Sequence, residues 1–132
     1  MSNAVFSQRP MRELARVIIA GGRDFNDCPL LKRKCDRILS NIKKRSPIEI
    51  VSGMARGADT LGDRYAKECG YAIAEFPADW DKHGKSAGHK RNAQMGIYAT
   101  HCIVFWDGRS KDTRHMIAIA ERLELGLRII RY

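Results

Sequence analysis

The stretch "IEIVSGMARGADTLGDRYAKECGYAIAEF", Ile48 to Phe76, decides the fold. Two short apolar runs, IEIVS (48–52) and YAIAEF (71–76), flank the segment ADTLGDRYAKECG (58–70). Leu61, Tyr65 and Cys69 recur every four residues, which lines them up on one face of a helix. Gly70 is placed to end that helix with a left-handed cap. The whole reads as strand, glycine-bearing turn, helix, strand. Two strands joined through a helix pair in parallel by a right-handed crossover.

The same alternation extends in both directions. RVIIA (16–20) and HCIVFW (101–106) are short apolar runs of the kind buried on both faces of a parallel sheet. LRIIRY (127–132) reads as a last strand. Leu31, Cys35, Ile38, Leu39 and Ile42 form one helical stripe. HKRNAQMGIYA (89–99) and Thr113 to Leu125 read as two further helices, the latter carried by Met116, Ile117, Ala120 and Leu123. The order β-α-β-α-β-α-β-α-β predicts an α/β, Rossmann-like, open, mostly parallel five-stranded sheet in the order 3-2-1-4-5, with helices on both faces. PADWDKHGKSAG (77–88) reads as a long polar loop. Residues 1–14 are poorly patterned: Met11 offers an alternative start and "SNA" resembles an expression scar. A single domain is expected over 15–132, a length that supports a real core.

No apolar run approaches the roughly 20 residues of a membrane span, and no secretory signal is legible. The four cysteines, at 28, 35, 69 and 102, make no CxxC pair and are read as buried reduced thiols of a cytoplasmic protein. The net charge is +9, and residues 1–50 hold 11 Lys/Arg against 5 Asp/Glu. Such a surplus attracts polyanions. Much of it falls in LKRKCDRILSNIKKR, where it also fits the solvated face of a helix. The histidines at 83, 89, 101 and 115 lack metal-site spacing. Asp79, Asp81 and His83 are read as loop-shaping polar residues, so no metal is expected.

Open parallel sheets bind ligands beyond the carboxyl ends of their strands. Four polar, glycine-bearing segments meet that edge: GGRDF, SGMARGAD, PADWDKHGKSAG and DGRSKDT. In the second, Gly53 and Gly57 permit close backbone approach or positive φ. The helix that follows presents free N–H groups and a positive dipole end, and Arg56 adds a guanidinium fork. The plain alternative is a tight turn with Asp59 neutralising the helix start. Neither the Walker pattern nor GxGxxG is present. Candidate ligand- or phosphate-binding residues are Gly21, Gly22, Arg23, Ser52, Gly53, Arg56, Gly57, Asp59, Trp80, Arg91, Asn92, Gly108, Ser110 and Thr113. Ser110 and Thr113 serve equally as helix caps. Trp80 offers either a stacking face or packing on the core rim.

GGRDF, SGMARGAD, FPADWDKHGKSAGHKRNAQM and VFWDGRSKDTRHMI together resemble the YspA/cpYpsA-related group of the SLOG superfamily, which includes the Lonely Guy phosphoribohydrolases and the DNA-processing protein DprA. The resemblance runs from about Val17 to Tyr132. It implies a Rossmann-like domain that binds nucleotides or nucleotide-derived, ADP-ribose-like ligands with no further cofactor, and it implies homodimers, since relatives pair through helices. Several relatives are sensors in phage and bacterial conflict, and members occur in phages. Two departures stand out. Met54 replaces the second glycine of the group's Ser-Gly-Gly-Ala-Arg-Gly-Ala-Asp, and Asp112 stands where a glycine usually precedes the threonine. The Lonely Guy arginine has its counterpart in Arg91, but the position of their glutamate is Met116. A thioether is neither acid nor base, so the known hydrolysis does not transfer intact. Arg91 and Asp59 stand as catalytic candidates without a defined mechanism, and Asp24, Asp79 and Asp107 as substitutes if geometry allows.

Three functions follow. The first is binding of a nucleotide-derived ligand, as a sensor or sequestering module. The alternatives are hydrolysis of a nucleotide N-glycosidic bond and DprA-like binding of single-stranded nucleic acid. Because a bulky side chain is costly at positive φ, Met54 is expected at negative φ, walling the pocket.

Overall fold

The structure, a computed structural model, describes residues 13–132. Expectations about the N-terminal segment before Glu13 lie outside the described residues. The elements run β1 (Ala15–Gly21), α1 (Cys28–Lys43), β2 (Ile48–Ser52), α2 (Ala58–Cys69), β3 (Ala72–Glu75), α3 (Trp80–His83), α4 (Ala87–Tyr98), β4 (His101–Trp106), α5 (Lys111–Arg122) and β5 (Gly126–Arg131). All neighbouring strands pair in parallel, in the order β3-β2-β1-β4-β5. The expected Rossmann-like sheet is the observed one.

Period-two alternation along the central strands splits the core into two layers. Val17, Ile19, Ile50, Ile103 and Phe105 face α1 and α2, meeting Leu31, Cys35, Leu39, Tyr65 and Ala66. Ile18, Ala20, Val51, Cys102 and Val104 face α4 and α5, meeting Met95, Met116, Ile117, Ile119 and Ala120. Each fully buried side chain of this size contributes about 1.5–3 kcal/mol. The edge strands β3 and β5 are much more exposed.

Helix ends follow local chemistry. The Asp27 carboxylate accepts a hydrogen bond from the Leu30 N–H at 3.0 Å, with Pro29 in the first turn of α1. Gly70, at φ 79, closes α2 in the left-handed conformation.

Two expectations are corrected. The segment 77–88 is not a loop throughout. Asp79 caps α3 by accepting from the Lys82 N–H at 3.1 Å, a 3₁₀ turn spans Gly84–Ser86, and α4 already starts at Ala87. A four-residue helix shows no periodicity, so only its caps betray it. The cysteines also divide: Cys35 and Cys102 are buried, and burial pushes both thiols up to about 12. Cys28 is half-buried and Cys69, the last residue of α2, is exposed. All four are free. Among the described residues, no helix is long and apolar enough to cross a membrane.

Candidate functional site

The strand order reverses between β1 and β4, so the chains leaving their carboxyl ends diverge and open a crevice. The first loop after β1 and the start of α5 form its two sides. An inner cavity of about 250 Å³ lies there, lined by Gly21, Gly22, Arg23, Asp24, Asp59, Arg91, Asn92, Ser110, Asp112 and Thr113, with Met95 and Met116 as apolar wall. An adjoining outer cavity of about 360 Å³ is lined by Arg23, Gly53, Met54, Arg56, Pro77, Trp80 and Arg91. Arg23, Ala55 and Arg91 border both, so the two form one cleft.

Arg91 is the hub. It projects from α4, is only 9% exposed, and donates from its Nη1 to the Gly53 carbonyl and from its Nε to Asn92 Oδ1, the latter at 3.0 Å. Burial lowers its pKa, while the Asp59 charge supports the protonated form. Gly53 lets the Asp59 and Arg91 side chains approach the backbone closely. A Cβ there would stand 2.8 Å from Asp59 Oδ2 and 2.9 Å from Arg91 Nη1. Asp59 is 5% exposed and accepts from the Ala55 N–H at 3.2 Å. Burial raises its pKa to about 6, with the Ala55 N–H and Arg91 opposing.

Gly57 joins the first two loops. At φ 76, ψ −123, it lets the backbone of the second loop lie against Gly22 and Arg23, where the Ala58 N–H donates to the Gly22 carbonyl at 3.2 Å. Met54 is the clear correction: its φ is 59, not negative. Its N–H turns back to Ser52 Oγ at 3.0 Å and the next N–H reaches Asp59, and these bonds impose the left-handed turn on whatever residue stands there. The side chain is still half-exposed on the outer cavity, as a wall. Met54→Gly removes a cost of about 1–2 kcal/mol for a left-handed L-residue and adds about 0.5–1 kcal/mol of unfolded-state entropy. Urea denaturation is expected to find the variant as stable as the parent or up to about 1.5 kcal/mol more stable.

Of the residues expected from sequence, Gly21, Gly22, Arg23, Asp59, Arg91, Asn92, Ser110 and Thr113 meet in the inner cavity, and Gly53, Arg56 and Trp80 in the outer one. Three stand apart from both. Ser52 holds the Met54 N–H, Gly57 packs between loops, and Gly108 lies against the Arg131 guanidinium. Asp24 lines the cleft, whereas Asp79 caps α3 and Asp107 accepts from the Arg109 and Ser110 N–H groups, both at 2.8 Å.

Sequence reasoning missed the role of Asp112 and the two histidines beside it. His89 and His115 stack at 3.8 Å between ring centroids, His115 Nδ1 lies 3.3 Å from Asn92 Nδ2, and Asp112 sits 3.7 Å from His89 and 3.8 Å from Arg23. The signal was the i, i+3 spacing of His89 with Asn92 and of Asp112 with His115, which sets each pair on one helical face. The basic stripe of α1 lies elsewhere: Lys34 and Arg37, with Arg128, line a separate groove of about 460 Å³ between α1 and β5.

Comparison with known proteins adds two findings. The profile of the YspA, cpYpsA-related SLOG family matches residues 15–83. The chain is also similar to the Gene 61 protein of Mycobacterium phage D29, at 36% identity over 117 residues, covering 83% of this chain and 90% of that protein. No solved structure matches.

Proposed function

Since the chain belongs to the YspA, cpYpsA-related SLOG family, we propose that its cleft binds a nucleotide or a nucleotide-derived, ADP-ribose-like ligand, as a sensor or sequestering module. One observation carries this reading. Arg23, Arg56 and Arg91 converge on the outer cavity beside Trp80, with no carboxylate among its lining residues. Guanidinium forks match phosphate oxygens and a tryptophan face matches a base. Family membership supports nucleotide-related binding in general.

Thermal-shift measurement with nucleoside mono- and diphosphates, ADP-ribose and nicotinamide nucleotides at millimolar concentration tests it. Ligand at 100 times its Kd adds about 2.7 kcal/mol, on the order of 10 °C for a domain of this size. A folded protein whose melting temperature moves with none of these probes sinks the proposal.

A second reading, cleavage of a nucleotide N-glycosidic bond, is favoured by one feature: Asp59, with its pKa raised to about 6, faces the inner cavity beside Arg91. A carboxyl near neutrality suits general acid–base work. Met116 lines the same cavity and supplies no such group. Mass spectrometry of incubated nucleoside monophosphates decides: absence of free base and ribose phosphate removes this reading and leaves the first.

A further inference from the structure

The two halves of the cleft differ in charge. In a chain of net charge +9, the inner cavity carries three carboxylates, Asp24, Asp59 and Asp112, against the border guanidiniums of Arg23 and Arg91. The outer cavity carries those same two guanidiniums plus Arg56, and no carboxylate. The field along the cleft therefore runs from acidic inside to basic outside.

Two backbone donors just ahead of α5 are also engaged. The Arg109 and Ser110 N–H groups both point at Asp107 Oδ1, so this backbone concavity already holds an anion, the protein's own. Ser110 Oγ accepts from the Thr113 N–H at 3.5 Å and from the Thr113 hydroxyl at 3.1 Å. Asp112, in the first turn of α5, places a further negative charge on the cavity side. A phosphate there would meet carboxylate repulsion, with the Arg109 and Ser110 N–H groups already committed to Asp107.

From this we infer the polarity of the bound ligand: a phosphate ester whose phosphate lies outward among Arg23, Arg56 and Arg91, and whose sugar vicinal diol points inward to the carboxylate of Asp112, with Asp59 at the cavity floor. Carboxylates accept hydrogen bonds from both hydroxyls of a diol, the chemistry by which acidic residues recognise ribose. Asp112 is thus a specificity residue for ribose over a deoxy sugar. Its contacts with Arg23 and His89, at 3.8 and 3.7 Å, are long and exposed, so a diol can take their place with small loss.

This inference rests on the nucleotide-binding reading of the cleft. Calorimetric titration with AMP, 2′,3′-dideoxy-AMP and ADP-ribose separates the two. Failure of all three probes to bind removes the reading and the inference together. With the present polarity, AMP binds roughly tenfold or more tightly than its dideoxy analogue, the order of one to two charged hydrogen bonds. Asp112→Asn abolishes that preference, and Arg56→Ala weakens both probes alike. If binding occurs but AMP and dideoxy-AMP are equal, the inference falls and the reading stands. If Asp112→Asn instead tightens AMP and ADP-ribose, the phosphate lies at α5 and the polarity is reversed. The unliganded melting temperature of Asp112→Asn confirms that an exposed substitution leaves the fold intact.

Discussion

Replacing Asp59 by Asn is expected to stabilise the protein by about 2–3 kcal/mol at pH 7.5 and to change little at pH 4. The carboxyl is buried at the start of α2, and burial raises its pKa from 3.8 to about 6. The folded state therefore binds more protons than the unfolded chain between those two values. Stability is fullest below pH 3.8 and is lost as pH rises through 6. At about 1.4 kcal/mol per unit, the loss totals on the order of 3 kcal/mol. Asparagine keeps an acceptor for the Ala55 N–H without the buried charge. Urea denaturation of both proteins at the two pH values reads the effect directly. A stability difference that does not vary with pH would mean that Asp59 titrates normally. An ionised carboxylate retained at this expense, on the floor of a cavity, is the pattern that ligand-directed sites produce. The variant is accordingly expected to bind AMP more weakly despite its greater stability.

The second large effect is expected at Gly57. Its φ and ψ, 76 and −123, lie where only glycine is at ease, and an added Cβ would stand 2.1 Å from the Gly22 carbonyl oxygen and 2.7 Å from the Arg23 backbone. Backbone on both sides leaves nothing flexible to yield. Gly57→Ala should cost about 3 kcal/mol or more, combining strain with separation of the two loops. Because that separation displaces Arg23 from Arg56, ligand binding should be lost as well. Gly70→Ala is the control. It shares the positive φ, 79, but a Cβ there meets nothing within 4 Å. It should cost only about 1 kcal/mol and leave binding intact. Equal losses in the two variants would contradict the role given to loop docking.

The sheet was legible because each central strand is a short, mostly apolar run followed by a glycine-bearing turn, and a parallel sheet covered on both faces buries such runs. The edge that carries the cleft was legible from the asymmetry of the connections: GGR and SGMARGAD on one side, KKRSP on the other. Residues whose role depends on backbone geometry were not legible. The side chain of Met54 argued for negative φ, but the turn is imposed by the Met54 and Ala55 N–H groups donating to Ser52 and Asp59. Gly108, Ser110 and Thr113 read as a donor-rich helix start, but nothing in the pattern says that the Asp107 carboxylate accepts from the Arg109 and Ser110 N–H groups. Asp112 stood out only as a departure from the family's glycine, because nothing local says that α4 brings His89 beside it. In each case the deciding partner lies on another element or in the backbone, where pattern and composition carry no signal.

The central claim is that phosphate-bearing ligands bind at the sheet edge rather than on the basic face of α1. Titration calorimetry of AMP and ADP-ribose into the parent, Arg56→Ala and Lys34→Ala tests it most directly. Arg56 lines the outer cavity, and Lys34 lines the separate groove. Loss of one charged, forked contact corresponds to roughly 1.5–3 kcal/mol, about ten- to a hundredfold in Kd. The account predicts that loss for Arg56→Ala and an unchanged Kd for Lys34→Ala; equal losses, or a loss confined to Lys34→Ala, would contradict it.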